Sequence, residues 1–480
     1  MKTTTFGTLL SLLLSAAAGA AAEFAPVFGS GMVLQQGREL TIRGKAEPGE
    51  TLTLEFAGKK VSGQAGKDGA WSLTLPPLAA SATPRTMTLT GRNGCRKLDD
   101  VLVGEVWLTS GQSNMYWPLG RSLKGKEAAA TGDLPEIRVF RSPARPADAP
   151  QETTPAKWQK MTPALAENLS AVAFYFGREL HRELKVPIGL LCAYRGGTMI
   201  EPWTPPGAWD ACPELGKNIA ARFGKTPDPK SKSPKDWPEN RPHVLYNGAI
   251  HPLTPYAFRG VIWYQGCSNV WYDSQEEYLQ KQQALFDGWK KAFSAPGMKF
   301  YTVQIAPLNR SRDAAKKHVG IWLAQQEFAD RNQPAVKLVV INDVGDLKNI
   351  HPANKEPVGL RLANLALKYD YGKNIPADFP RLRKCEAKEG ALLLSFSCVR
   401  EWKTTDGGEI RNFEIAGAEG EFLPARAEAR GDRLTVSAPG VPLPRRVRYL
   451  CNCSKLGNLV NEAGLPPGTF EAEAPRAGKN

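Results

Sequence analysis

One segment of the chain reads Gly104-Glu-Val-Trp-Leu-Thr-Ser-Gly-Gln-Ser-Asn-Met115. Its first half, residues 104–109, is mostly apolar and predicts a buried strand, and its second half is polar and contains a glycine. Ligands bind beyond the carboxyl ends of the strands in an open parallel sheet. Ser113 is therefore a candidate functional residue. The alternative interpretation is a serine that caps the helix after its strand.

The chain from residue 101 to 375 alternates between apolar strands and helical stretches. The other predicted strands are 187–193, 259–264, 299–306 and 335–342, and the predicted helices are 170–184, 276–293, 319–330 and 357–369. Such alternation predicts an α/β domain, with a parallel sheet covered by helices on both faces. The segment 217–241 is rich in Pro, Lys and Asp and is expected to be a surface insertion.

Polar or glycine-rich residues also follow the other predicted strands, which a purely structural sheet does not need. They include Arg195, Gly196, Gly197, Gln265, Asn269, Asp343, Asp346 and His351. A serine hydroxyl is a weak nucleophile at neutral pH and needs a neighbouring base. His351 is the best candidate among the five histidines, because it alone follows a strand end late in the sheet. A structural loop histidine is the alternative interpretation.

A serine nucleophile also needs hydrogen-bond donors for the oxyanion that forms in the reaction. We expect these donors to be the backbone N–H groups of Ser113 and of Gly196 or Gly197, with a side-chain donor from Gln265 or Asn269. The alternatives are structural, because the two glycines also suit a tight turn and Gln265 also suits the end of a strand.

The flanks of the α/β segment have a different pattern. Residues 23–100 show short runs with period-two alternation between turn signals, which predicts an N-terminal β-sandwich. A similar pattern returns over residues 376–480 and predicts a β-rich C-terminal region. We expect no catalysis in the N-terminal region.

The N-terminus, residues 1–22, has the composition of a cleaved signal peptide: a positive start, an apolar stretch and small residues. No later segment approaches transmembrane length, so we expect an exported protein, periplasmic or secreted, without membrane insertion. The net charge of +14 is spread over scattered Lys and Arg, which does not favour nucleic acid as a partner. The eight cysteines do not form a complete zinc-binding pattern, so we expect no metal.

Several blocks together resemble the sialate O-acetylesterase family, a branch of the SGNH hydrolases. The segment from Gly104 to Met115 resembles the nucleophile block of that family. Gly260-Val-Ile-Trp-Tyr-Gln-Gly266 followed by Ser268-Asn269 resembles its third block, and Ile350-His-Pro-Ala-Asn-Lys355 resembles its histidine block. Gly31-Met-Val-Leu-Gln35 and the closing segment 458–466 are similar to its flanking β regions. The resemblance covers nearly the whole mature chain.

This resemblance implies a three-layer, flavodoxin-like SGNH hydrolase core. It also implies that Ser113 attacks an acetyl carbonyl while His351 takes its proton. An acetyl-enzyme then forms and is hydrolysed by water that His351 activates. The implied partner is an O-acetylated sialic acid or another acetylated glycan, and no cofactor is implied.

The chain departs from the family pattern at two positions. Cys267 stands where the family usually has Glu, and Lys348 stands where SGNH enzymes commonly have an Asp three residues before the histidine. The acid that orients His351 is therefore open. Asp346 and Asp343 are the candidates, and a dyad helped by a backbone carbonyl is the alternative.

The sugar specificity follows less directly from the sequence. Arg195 is a candidate for binding the carboxylate of a sialic acid, since a guanidinium suits bidentate carboxylate binding, and Trp203 is a candidate for the border of the cleft. A structural role is the alternative for both. An acetylesterase for xylan or another polysaccharide is the rival in the same class. A glycan-binding protein with a decayed hydrolase core is the rival from another class.

Overall fold

The computed structural model of the chain describes residues 21–224, 231 and 233–475. The predicted signal peptide, except for its last two residues, lies outside the described residues. None of the helices in the described part is long and apolar enough to cross a membrane.

The N-terminal strands form two small sheets that pack on each other. The strands are β1 Glu23–Phe24, β2 Val33–Gln35, β3 Leu40–Lys45, β4 Thr51–Phe56, β5 Lys59–Gln64, β6 Ala70–Leu75, β7 Ser81–Gly91 and β8 Gly94–Gly111. Strands β1, β3 and β6 form one sheet, and β5, β4, β7 and the first half of β8 form the other. Alternate residues of β4 and β6 are buried, as expected for strands with one face on a core.

Strand β8 continues from this small sheet into the central sheet of the molecule. The other central strands are β9 Leu134–Arg141, β10 Trp158–Met161, β11 Ile188–Tyr194, β12 Gly260–Tyr264, β13 Lys299–Val303 and β14 Val336–Val339. Their order is β10-β9-β11-β8-β12-β13-β14, and only β10 is antiparallel to its neighbour. The fold is therefore mixed α/β with one large mixed sheet. The domain limits at residues 100 and 375 stay predictions, since β8 runs across the first of them.

Helices cover both faces of the central sheet. The helices of the chain are α1 Ser113–Tyr116, α2 Gly125–Ala130, α3 Pro163–Asn168, α4 Ala171–Leu184, α5 Pro213–Phe223, α6 Gln275–Ala292, α7 Arg312–Arg331 and α8 Glu356–Tyr369. Helices α4 and α8 pack on one face, around Trp107, and α6 and α7 pack on the other, around Trp263. Serine caps fix the starts of α4 and α6, because Ser170 and Ser274 each accept a backbone N–H three residues later.

The C-terminal region is rich in strands. These are β15 Arg381–Lys388, β16 Ala391–Ser397, β17 Trp402–Thr404, β18 Ile410–Ala416, β19 Leu423–Arg430, β20 Arg433–Ser437, β21 Arg446–Tyr449, β22 Leu459–Asn461 and β23 Phe470–Glu473. Seven of them form one sheet in the order β15-β16-β20-β19-β18-β21-β23, and β17 pairs with β22. All pairs in both sheets are antiparallel, and alternate residues of β16 are buried.

Candidate active site

Ser113 lies directly beyond the carboxyl end of β8 and is the first residue of α1. The turn between them requires Gly111, which has φ +139°. A Cβ atom there would lie 2.3 Å from the carbonyl oxygen of Tyr264. Ser113 is half-buried, and its Oγ forms no hydrogen bond with the described residues. Its hydroxyl is therefore available to a substrate.

The glycine turn after β11 lies against Ser113. A Cβ atom added to Gly196 would lie 3.5 Å from the Cβ of Ser113. Within the described part of the chain, the backbone N–H groups of Ser113 and Gly196 donate to no protein acceptor. Gly197 has φ +75°, and a side chain there would meet the ring of Trp237 at 2.5 Å. The two unpaired N–H groups beside the serine are suited to stabilise an oxyanion.

His351 lies on the loop between β14 and α8. Its ring stacks on Trp117, with ring centroids 5.1 Å apart, and its backbone N–H donates to Asn349 Oδ1. Its ring nitrogens form no hydrogen bond with the residues described here. Burial lowers the pKa of His351 below its usual value, and the positive charges of Lys355 and Arg121 lower it further. The imidazole is therefore neutral near pH 7, as a general base must be.

Asn114 connects the serine turn to the histidine loop. Its Nδ2 donates to the carbonyl oxygen of Ile350 at 2.9 Å, and its Oδ1 accepts a hydrogen bond from Lys355 Nζ. Lys355 is 1% exposed, and burial lowers its pKa to about 7. Cys267 lies near Lys355 and is also buried, and burial raises the pKa of its thiol. The resemblance led us to expect Glu at this position, and the side chain present there is a thiol.

The two candidate acids lie on the histidine loop but face other partners. Asp346 is exposed, and its Oδ1 accepts the backbone N–H groups of Lys348 and Asn349. Asp343 is bound by Arg361 through two hydrogen bonds of 2.8 and 2.6 Å. Neither carboxylate bonds to the ring of His351 in this conformation.

The amides of Gln265 and Asn269 are fully buried and bond to protein acceptors. Gln265 Nε2 donates to Asn269 Oδ1 at 2.7 Å and to the carbonyl oxygen of Thr198 at 3.2 Å. Asn269 Nδ2 donates to Glu201 and Asp273. In this arrangement the two amides hold the glycine turn in place, because Asn269 Oδ1 also accepts the backbone N–H of Ile200. Their role as oxyanion donors stays a prediction.

The buried ion cluster behind Asn269 consists of Glu201, Asp273, Glu277, Arg222 and Lys281. Lys281 is fully buried and lies within 2.7–2.8 Å of all three carboxylates. Burial, with the nearby charge of Glu201, raises the pKa of Asp273 to about 6. This cluster holds the side chain of Asn269 in place, because Glu201 and Asp273 accept hydrogen bonds from its Nδ2.

A cleft of about 510 Å³ opens beside Gly196. It is lined by Tyr116, Arg141, Ser142, Pro143, Ala144, Tyr194, Arg195, Gly196 and Glu239. Arg195 lines this cleft, and its guanidinium donates to the carbonyl oxygen of Ala144 and to Glu239. Trp203 is fully buried against Trp263 and donates to Thr198 Oγ1, so it lies in the core and not at the border of this cleft.

A larger cavity of about 680 Å³ lies between α7, α8 and the C-terminal strands, and it contains none of the predicted site residues. Within the described residues, no three His, Cys, Asp or Glu side chains come together in a way that could hold a metal ion.

Sequence reasoning missed several residues that build the site. Gln112 Oε1 accepts the backbone N–H of Gly266 at 3.0 Å and so ties the serine turn to the turn after β12. Asn114 lies in the block 104–115 and Lys355 in the block 350–355. Their closeness in sequence to Ser113 and His351 was the signal that could have identified them as site residues. Trp237 lies in the predicted surface insertion, and no sequence signal connects it to the glycine turn.

Comparison with known proteins gives a consistent result. The family described as "Carbohydrate esterase, sialic acid-specific acetylesterase" matches residues 103–368. The sialate O-acetylesterase of Homo sapiens is 30% identical over 435 residues, which cover 81% of this chain and 80% of that protein. The sialate O-acetylesterase of Mus musculus is 29% identical over 474 residues, which cover 86% and 85% of the two chains. The crystal structure of a carbohydrate acetylesterase from Xanthomonas citri is similar with a TM-score of 0.83 and 31% identity, over 94% of this chain and 99% of that chain.

Proposed function

Because the chain belongs to the sialic acid-specific acetylesterase family of carbohydrate esterases, we propose that it removes O-acetyl groups from sialic acids on glycans. The chain is a carbohydrate O-acetylesterase, and therefore an ester hydrolase. One observation carries the proposal furthest. Ser113 lies between the carboxyl end of β8 and Gly196, and Asn114 ties this turn to the residue before His351.

In the proposed reaction, Ser113 Oγ attacks the carbonyl carbon of the acetyl ester while His351 takes the hydroxyl proton. The backbone N–H groups of Ser113 and Gly196 stabilise the oxyanion of the tetrahedral intermediate. The C–O bond to the sugar then breaks, and the sugar hydroxyl leaves with the proton from His351. Water, activated by His351, attacks the acetyl-enzyme and releases acetate. Gln265 and Asn269 act in this proposal as positioning residues.

We propose that His351 works with Ser113 as a dyad, without a carboxylate partner. The stacking on Trp117 supports this, because it orients the ring without an acid, and the hydrogen bond from the His351 backbone N–H to Asn349 fixes the loop that carries the ring. Asp346→Ala is then expected to change kcat by less than about threefold, since loss of a true triad acid costs on the order of 10⁴-fold. A loss of that size would instead identify Asp346 as the third member. The kcat of Asp343→Ala, which removes the partner of Arg361, is measured for comparison because Asp343 is the other candidate acid.

The finer features of the fold are part of the same proposal. When β9 and β10, which extend the sheet beyond β11, are set aside, the remaining order, β11-β8-β12-β13-β14, corresponds to the 2-1-3-4-5 order of flavodoxin-like sheets. This supports a three-layer SGNH hydrolase core. We also propose export to the periplasm or the exterior after cleavage near residue 22, on the composition of residues 1–22. N-terminal sequencing of the secreted protein tests this.

The activity is tested by hydrolysis of p-nitrophenyl acetate and of O-acetylated sialic acid, with acetylated xylan as the competing substrate. Purified wild-type, Ser113→Ala and His351→Ala proteins are compared. We expect the wild type to act on the first two substrates and both variants to lose almost all turnover. Turnover that does not depend on Ser113 would overturn the mechanism. Faster hydrolysis of acetylated xylan than of acetylated sialic acid would overturn the substrate.

A further inference from the structure

Three charged side chains line the cleft beside Ser113, and two of them are paired with each other. Arg195 Nη2 donates to Glu239 Oε1 at 3.1 Å, and Arg195 Nη1 donates to the carbonyl oxygen of Ala144 at 2.9 Å. The charge of Glu239 is therefore balanced by Arg195. The remaining charge in the lining is that of Arg141.

Arg141 is the last residue of β9, at the same edge of the sheet as Ser113. Its register partner on β11 is Cys192, two residues before the end of that strand. The guanidinium makes one weak hydrogen bond, from Nη1 to the carbonyl oxygen of Asn168 at 3.4 Å, and forms no ion pair with the residues described. Most of its five N–H donors are therefore available to a ligand in the cleft.

Tyr116 forms the floor next to this guanidinium. Its ring lies 5.8 Å from the Arg141 guanidinium carbon and 5.8 Å from the ring of Tyr194, which fixes its orientation. Tyr116 is 43% exposed, a high value for an aromatic side chain, and it follows Ser113 by three residues on α1. An exposed aromatic face of this kind suits the apolar face of a sugar ring.

We propose that Arg141 binds the carboxylate of an acidic O-acetylated sugar, and that Tyr116 supports the ring of the same sugar. This rests on the proposed function, because the cleft serves the ester that Ser113 attacks. A guanidinium binds a carboxylate with two parallel hydrogen bonds, and Arg141 has the donors for them. Arg195 then positions Glu239 and the Ala144 segment, and it does not bind the carboxylate.

The experiment compares two substrates that differ only in the charge on the carboxyl group, O-acetylated sialic acid and its methyl ester. The specificity ratio is kcat/KM for the acid divided by kcat/KM for the methyl ester. It is measured for the wild type, Arg141→Gln, Arg141→Lys and Arg195→Gln. Arg241→Gln is the matched control, since Arg241 pairs with Asp148 and does not line the cleft. Circular dichroism and thermal melting show whether each variant is folded.

We expect the wild type and Arg241→Gln to prefer the acid. In Arg141→Gln the ratio should fall roughly 10- to 100-fold, mainly through KM, because a hydrogen bond to a charged group contributes about 1.5–3 kcal/mol. Arg141→Lys should retain part of the preference, since it keeps the charge. Arg195→Gln leaves the charge of Glu239 unbalanced in the cleft, so its ratio should fall, but less than that of Arg141→Gln.

Two results would overturn the inference while the esterase function stands. One is a wild type that hydrolyses the methyl ester as well as the acid. The other is a ratio that collapses in Arg195→Gln and not in a folded Arg141→Gln. A different result would be a wild-type protein that hydrolyses p-nitrophenyl acetate through Ser113 but hydrolyses neither sialic acid substrate. It would overturn the sialic acid part of the proposed function and the inference with it.

Discussion

His351 has a lowered pKa because it is half-buried and because Lys355 and Arg121 place positive charge near it. A base must be unprotonated to act, so a lower pKa extends activity to lower pH. We expect the acid limb of the kcat/KM profile to lie below pH 6.5, the usual pKa of a histidine. Arg121→Gln removes one of the two charges and should move this limb to higher pH.

The profile is measured with a neutral acetyl ester, so that the substrate does not titrate. Arg182→Gln is a suitable control, because Arg182 is exposed on α4 and pairs with Glu179 and Glu183. An acid limb above pH 6.5, or one that Arg121→Gln moves to lower pH, would contradict the assignment of His351 as the base.

Lys355 is buried and has no carboxylate partner among the residues that the structure describes. It bonds to Asn114, lies 5.6 Å from the centre of the Tyr264 ring, and has Cys267 nearby instead of an acid. A buried cation without a counter-charge destabilises a fold, and the protein responds by lowering its pKa. Its position between Asn114 and the histidine loop indicates that its contribution is to the alignment of the site.

Lys355→Met is expected to reduce kcat roughly 10- to 100-fold, because small misplacements of reacting groups are costly.

The same substitution should not lower the stability of the protein. Between about pH 7 and 10.4 the unfolded chain binds a proton at Lys355 that the folded chain releases, so this residue makes the free energy of unfolding rise with pH. The variant should lack that rise and be at least as stable as the wild type at pH 7. Urea unfolding across this pH range, together with kcat, tests both parts. A variant that is much less stable at pH 7 would contradict this account.

At the scale of elements, the predicted surface insertion supplies part of the wall of the site. Asn240 is fully buried, accepts the backbone N–H of Met199 at 2.7 Å, and donates to the carbonyl oxygens of Gly197 and Pro234. Trp237 covers Gly197. A Cβ atom at Gly197 would lie 2.5 Å from the Trp237 ring, and its φ of +75° is also unfavourable for residues other than glycine. The insertion therefore holds the glycine turn in the conformation that faces Ser113.

Asn240→Ala should lower both stability and activity, since it leaves a buried N–H and two half-buried carbonyl groups without this partner. The expected loss is about 1–3 kcal/mol in the free energy of unfolding, with a fall in kcat for every acetyl ester. Asn168→Ala, in an exposed position at the end of α3, is the control and should change neither quantity. Unchanged kcat in a folded Asn240→Ala protein would show that the insertion does not position the turn.

Much of the core was predictable because its elements have simple patterns. Helix α4 was expected at 170–184 and is found at Ala171–Leu184, and β12 was expected at 259–264 and is found at Gly260–Tyr264. Strand β9 was missed. Its Arg138 looks incompatible with a buried strand. It is accommodated there because Asp100, 38 residues earlier, accepts two hydrogen bonds from the guanidinium, and the carbonyl oxygens of Gly31 and Pro135 accept two more. Arg141, at the end of that strand, was missed for the same reason.

The functional residues show the same limit. Ser113 and His351 were predicted as nucleophile and base from their place after strands, which depends on local pattern, and their roles stay predictions. The direction of a side chain depends on contacts from distant parts of the chain. Gln265 bonds to Asn269 and Tyr278, and Arg195 bonds to Glu239, so neither amide nor guanidinium is free as the sequence alone suggested.

At the scale of the whole molecule, the three regions share elements and contacts. Strand β8 belongs both to the N-terminal sheet and to the central sheet. The C-terminal region reaches the loops that carry the site. Asn342 Nδ2 donates to the carbonyl oxygen of Pro467 at 2.9 Å, and the backbone N–H of Leu308 donates to the carbonyl oxygen of Cys453 at 2.9 Å. One continuous cluster of buried side chains extends from Ala22 to Ala474.

These shared contacts predict that the regions unfold together, although chains of this length commonly unfold in steps. Removing any one region would expose buried apolar surface on the others, so partly unfolded forms are costly. We therefore expect differential scanning calorimetry of the full chain to show one transition, with equal calorimetric and van't Hoff enthalpies. Esterase activity should be lost over the same temperature range. Two resolved transitions, with activity lost in only one of them, would mean that β8 does not couple the N-terminal strands to the core.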